Sequence, residues 1–219
     1  MKDKPNEWVS ISDLMSGVMA VVMLLLVISV IQKTYAEMKH KQELEEGENA
    51  KRTKVTKMLT DLENSLNQQG MKDLIDFNVS EARVTLRDGA FEKSSACITP
   101  LAREALGSIE NKIIEHLQTS NNYSIFVDGH TDSDPVKMPV TNYEKYCTVY
   151  DDNYTLSAAR AREARKLLIN KLTDKEAKRV IVAGYGDSRP LEGVLDNDRR
   201  NRRVEIQFVI NRDNNGNKK

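Results

Sequence analysis

Tryptophan occurs once in these 219 residues, cysteine twice and histidine three times, and neither sign of charge is in excess. Lys and Arg number 33, as do Asp and Glu, so the chain lacks the basic balance that nucleic-acid binding demands. Cys97 and Cys147 have no histidine at metal-ligand spacing, which argues against a cysteine-rich zinc site. There is no His-Glu-x-x-His pair, no convincing nucleophile elbow and no glycine-rich phosphate loop. Asp128, His130 and Asp132 alternate along one segment, the arrangement from which a metal-dependent hydrolase could be imagined. His40 and His116 bring no second acid motif to complete it. The expectation is that the chain is not an enzyme and carries no cofactor and no metal.

What the chain does have is one long apolar run inside an otherwise polar composition of 30% charged residues and mean hydropathy −0.55. Ile11 to Ile31 reads ISDLMSGVMAVVMLLLVISVI. As a helix it is about 32 Å long, the thickness of a bilayer's hydrocarbon core. Trp8 and Tyr35 flank it like interfacial anchors. A cleavable signal peptide is the rival, with Thr34-Tyr35-Ala36 as its cleavage site. The run is long for such a segment and carries an acid, so an uncleaved single-pass anchor is expected. Lysines lie on both sides of it, so local charge leaves its orientation open.

That acid, Asp13, is the only ionisable residue in the run. A carboxylate in a membrane helix is costly and tends to face a protein interior or a water-filled path, as a proton carrier must. The bland reading is a helix N-cap, a position Asp favours. Ser16, Gly17 and Ala20 would let a second helix approach closely, placing Asp13 at an interhelical contact. Met15, Met19 and Met23 read as a packing stripe.

Residues 33–69 are rich in Lys, Glu and Gln and contain no proline. Val55, Leu59, Leu62 and Leu66 mark one apolar helical face. A helical connector is expected whose second half self-pairs, docks on the following domain, or stays solvated. The organisation read from the chain is a short tail at 1–10, a transmembrane helix at 11–32, this connector, a domain at 70–212, and a disordered tail at 213–219.

Beyond Gly70 the pattern predicts strands at Leu74–Val79 and Arg83–Leu86, then a helix from Pro100 to Leu117 capped by Thr99. It continues with a strand at Ser124–Val127, a helix from Tyr154 to Leu172, and strands at Val180–Ala183 and Val204–Ile210. The order β-β-α-β-α-β-β implies an α+β fold, a mixed sheet with helices on one face. In an oxidising compartment Cys97 and Cys147 are a candidate disulfide.

Four blocks in this region, GHTDSD at 129–134, NYTLSAARA at 153–161, AGYGDSRP at 183–190 and NRRVEI at 201–206, resemble the OmpA-like peptidoglycan-binding domain. The resemblance covers about residues 74–211. It implies that Asp132 and Arg160 clamp a zwitterionic group of the wall peptide, with Thr131, Asn153, Leu156 and Arg203 as neighbours. Arg offers a planar fork to a carboxylate and an acid receives an ammonium, so the pairing is chemically sound. An ordinary Asp132–Arg160 ion pair is the alternative. The segment 133–152 is longer than usual for the family and carries Cys147, so it could cover the site.

Asp-Leu-Met-Ser-Gly-Val-Met-Ala at 13–20, joined to such a domain, resembles the B subunit of MotB-type proton-driven stators. The block WVSISDLMSGVMAVVMLLLVI at 8–28 is most similar to the B subunit of Zorya anti-phage defence systems. That resemblance implies Asp13 as proton carrier and a homodimer inside a ring of polytopic A subunits (MotA- or ZorA-like), five to two. It also implies a bacterial inner-membrane anchor with a cytoplasmic N-terminus and a periplasmic domain on peptidoglycan. A flagellar stator or a passive membrane-to-wall tether are the alternatives.

Overall fold

The computed structural model describes residues 7–119 and 123–211. The expected tail at 213–219, most of the short N-terminal tail, and the side chain of Trp8 lie outside the described residues. The chain divides into two compact units, Met1–Ala50 and Lys51–Lys219.

Helix α1 spans Glu7–Gln68 and contributes to both units. In the first unit its apolar section is exposed along its length, with Leu14 at 71% and Leu24 at 60%. It is long and apolar enough to cross a membrane, with a peak window hydropathy of 2.8. Asp13 sits inside this helix, beyond its first turn, and its carbonyl accepts a hydrogen bond from Ser16 Oγ at 2.8 Å. The polar continuation carries exposed i,i+4 pairs, Lys33–Glu37 at 3.9 Å and Lys41–Glu45 at 4.0 Å, each contributing only a few tenths of a kcal/mol.

The final turns of α1 belong to the second unit. Val55, Leu59, Leu62 and Leu66 are all buried in its core. Of the readings open for this stripe, the structure shows docking: the apolar face serves its own domain.

The second unit continues with β1 (Ile75–Asn78), β2 (Arg83–Arg87), α2 (Pro100–Thr119) and β3 (Tyr123–His130). It then runs through α3 (Tyr143–Tyr146), α4 (Asn153–Leu168), α5 (Asp174–Ala177), β4 (Val180–Gly184) and β5 (Arg203–Ile210). The sheet order is β1-β2-β5-β3-β4, antiparallel throughout except for the parallel β3–β4 pair. This is the expected mixed α+β sheet. Strand alternation sends Ile125, Val127, Val204, Ile206 and Phe208 into one core with Leu106, Ile109 and Ile113 of α2.

Local chemistry explains the helix limits. Thr99 Oγ1 accepts from the Ala102 amide at 3.4 Å, and Pro100 takes the first helical position, where its missing N–H costs nothing. Asp152 caps α4 by accepting from the Thr155 amide at 2.6 Å. α4 stops at Leu168, short of the expected Leu172, because the chain turns at Ile169–Leu172 and Thr173 opens α5 with a complete capping box.

Two glycines set how closely α4 lies on the sheet. A Cβ on Gly129 would stand 2.0 Å from the Ser157 carbonyl oxygen, and one on Gly184 would stand 2.6 Å from Ala158. The glycines of GHTDSD and AGYGDSRP and the small residues of LSAARA are therefore two halves of one backbone contact. It carries Arg160 of α4 up beside the end of β3.

Candidate functional site

The exit of β3 is held rigidly. The Thr131 amide donates to Gly186 O at 2.8 Å and the Ser133 amide to Asp196 O at 3.0 Å. Asn153 Nδ2 donates to the carbonyls of Asp132 (3.2 Å) and Asp134 (3.0 Å), so this residue shapes the loop that presents Asp132. Thr131, Asp132, Asn153, Leu156 and Arg160 all line one cavity of about 670 Å³. Its outer wall comes from Asp134 to Met138 of the long 133–152 segment, which borders the cavity without filling it.

Arg160 is 3% exposed. Its Nε donates to Ser95 O at 2.9 Å and its guanidinium lies 5.3 Å from the Phe91 ring centre. Nη1 is buried without a hydrogen-bond partner. Burial pushes this guanidinium below its ordinary pKa, opposed by the nearby Asp88 charge; arginine still remains charged. A buried donor left unsatisfied in this way carries a desolvation penalty.

Asp132, 5% exposed, pairs with a different arginine. Arg202 Nη1 donates to Asp132 Oδ2 at 2.5 Å, and its Nε and Nη2 clamp Asp88 at 2.9 Å each. These bonds raise Arg202 above its ordinary pKa. The cavity is thus lined by the guanidiniums of Arg160 and Arg202 and the carboxylates of Asp88, Asp132 and Asp134, a set of charges suited to a zwitterion.

Arg203 lies elsewhere. It is the first residue of β5 and faces the side of the sheet away from the helices, where Nε donates to Glu205 Oε1 at 2.7 Å. Nη1 and Nη2 reach Asn201 O and Arg189 O. The sequence pointed to this arginine as a site neighbour; the one lining the cavity is Arg202, displaced by the alternation of the strand that follows. Asp88, Phe91, Ser95 and Tyr150 were also missed, since a turn acid and a carbonyl carry no motif. The paired arginines of NRRVEI were the one available signal.

Asp128 and His130 also face the far side of the sheet, with Glu205, and not the cavity. His130 stacks on Tyr185 at 5.4 Å, and both its ring nitrogens are buried without hydrogen bonds. Burial and the Arg203 charge lower its pKa to about 4, so it is neutral. Among the described residues no group of three His, Cys, Asp or Glu could hold a metal ion.

Cys97 and Cys147 form a disulfide with Cα atoms 5.1 Å apart, inside the usual range. It joins the loop before α2 to the long 133–152 segment.

Residues 90–203 match the OmpA family, just over half of the chain. The chain belongs to the OmpA family. The protein YtxE of Bacillus subtilis is 40% identical over 95 residues, covering 41% of this chain and 34% of its own. The match thus spans about a third of that relative's length. A MotB-like protein from Desulfovibrio vulgaris has the same fold, with TM-score 0.56 and 20% identity over 74% of this chain and 98% of its own. The cell wall anchor of the T6SS from Pseudomonas aeruginosa matches with TM-score 0.50 and 26% identity, over 70% of this chain and 97% of its own.

Proposed function

We propose that this chain is the wall-anchoring subunit of an ion-driven motor in the bacterial inner membrane, its C-terminal OmpA-family domain gripping peptidoglycan from the periplasm. The observation that carries the wall-binding part is the buried Arg160 Nη1, unpartnered and in the same cavity as Asp132. A ligand carboxylate completes Arg160, and its ammonium joins the acids of the cavity. Similarity to a cell wall anchor supports the same reading. The domain binds and does not catalyse.

The motor part rests on Asp13. It lies within a helix of membrane-spanning length and past that helix's first turn, which favours proton carriage over end-capping. In this reading two copies of the chain stand inside a ring of polytopic A subunits, five to two. Protons passing by way of the Asp13 carboxylate turn the ring around the anchored pair. The likeness of residues 8–28 to Zorya B subunits supports a role for the motor in anti-phage defence.

Two experiments test the reading. Pull-down on purified sacculi is expected to retain the wild type and to lose Asp132→Ala and Arg160→Ala at unchanged fold; retention of both variants removes the wall-ligand assignment. Asp13→Asn keeps shape and polarity but cannot release a proton, so phage protection by the complete system is expected to vanish with assembly intact. Protection that survives leaves a passive tether, and a wild type that never protects shifts the assay to motility.

A further inference from the structure

Arg160 is oriented from one side only, by the loop between β2 and α2. Ser95 O fixes its Nε, and Phe91 lies beneath its plane. That loop is closed at its base by the Phe91–Ile98 bridge and by the Glu92 carbonyl and amide contacts, but its tip rests on the long inserted segment. The Ala96 amide and Ser95 Oγ both donate to Tyr146 O at 3.0 Å, and Tyr150 Oη donates to Ser94 O at 2.6 Å. Ser94 itself holds a left-handed φ of 55°, a strained backbone that persists only where its surroundings enforce it.

The inserted segment is a weak support on its own. Its regular structure is the four-residue α3 and the single Val140–Tyr150 bridge. Three hydrogen bonds to the loop tip contribute about 1 kcal/mol net each. The covalent tie is Cys97–Cys147, two residues from Ser95 on one side and adjacent to Tyr146 on the other. The crosslink therefore sits where the carbonyl that aims Arg160 meets the segment that walls the cavity.

We propose that the Cys97–Cys147 disulfide is a positioning element for Arg160, so that affinity for the wall ligand follows the redox state of this cysteine pair. The proposal rests on the wall-binding reading above. A dithiol reductant transfers two electrons and two protons to the S–S bond, leaving two thiols, and departs as its own disulfide. The loop tip then holds to the insert by hydrogen bonds alone, and Ser95 O no longer has one fixed place.

The test uses the full chain in lipid nanodiscs and, as probe, a wall tripeptide ending in meso-diaminopimelate. Calorimetric titration compares the oxidised chain, the dithiothreitol-reduced chain and the Cys97→Ala/Cys147→Ala variant, each verified as folded by its thermal melt. In parallel, the Arg160 Nε–H signal is followed by ¹⁵N NMR, a readout that general loss of stability does not move while the domain stays folded. Expected are affinity lowered by roughly tenfold, within the range of ordinary site-to-site coupling, an Nε–H signal lost to solvent exchange, and recovery of both on reoxidation. Equal affinity in all three forms with an unchanged Nε–H signal overturns the proposal. If the oxidised chain does not bind at all, the wall-ligand reading fails, and the Nε–H comparison alone then decides whether the disulfide positions Arg160.

Discussion

Arg202 stands 2.5 Å from Oδ2 of Asp132 while two further bonds of 2.9 Å fasten the same guanidinium to Asp88. The acid is therefore already partnered, and the cation Arg160 has a donor to spare. Under the proposed function an incoming ammonium would compete with Arg202 for Asp132, with Asp88 as the residue on which Arg202 stays held.

Arg202→Ala and Arg203→Ala, neighbours in sequence, are expected to fail differently. Arg202→Ala leaves two carboxylates without their cation and should change tripeptide affinity by about fivefold or more. Arg203→Ala should leave affinity within about twofold. It should instead lower stability by about 3 kcal/mol, because Glu205 is buried and keeps only Arg83 at 2.8 Å. Titration calorimetry and urea melts on both variants separate the two effects.

Gly129→Ala should destabilise the domain by about 3 kcal/mol or more. The added methyl meets the Ser157 backbone at 2.0 Å, and backbone in the middle of a helix has nowhere to go. Gly107→Ala, on α2 with nothing within 4 Å of the new Cβ, should be neutral or slightly stabilising, since alanine favours the helix. Denaturant midpoints of the pair provide the check.

The pH dependence should carry the signature of His130. Its folded pKa of about 4 lies below the ordinary 6.5, so between those values the unfolded chain binds a proton that the folded chain refuses. Stability is then full above pH 6.5 and falls as pH drops toward 4, by about 2–3 kcal/mol in all. Glu205 works lower down: burial alone would raise its pKa, but Arg203 and Arg83 hold it below 4.5, so its contribution is lost only under more acidic conditions. Asp128, raised by burial and by Glu205, works in the opposite sense. His130→Phe keeps a ring on Tyr185 and should flatten the slope of urea midpoint against pH between 4.5 and 6.5. An unchanged slope would remove His130 from the account.

Leu59→Ala should cost about 2–4 kcal/mol of domain stability, as expected for a wholly buried leucine. A solvated or merely self-pairing stripe would give almost no change in a melt of the full chain at low concentration.

Order and type of the elements could be read from the chain because apolar spacing switches cleanly between steps of two and of three or four, as between Ile125-Val127 and Leu106-Ile109-Ile113. Boundaries and partners were harder. The stripe at Val55–Leu66 looked the same whether it met another copy, solvent or its own sheet, since periodicity names a face and not what covers it. Asp132 and Arg160 could be picked out as motif residues, yet which arginine meets Asp132 depends on the side of β5 to which each residue turns, and that parity is set by where the strand begins. The disulfide needed the distance between Cys97 and Cys147, a quantity that no spacing of 50 residues contains.

Among the described residues the last strand in sequence is the central strand of the sheet. β5 lies between β2 and β3, so the hairpin of β1 and β2 and the pair of β3 and β4 have no shared backbone ladder until residues 203–210 arrive. The ribosome makes these residues after the other four strands, and the contacts they close with β2 span more than a hundred residues, the kind of topology that folds slowly. Until then the two half-sheets present open edges and an uncovered core to whatever surrounds them. A chain cut short before Arg203 would therefore lose far more than a strand: it would leave two fragments of a sheet that cannot find each other.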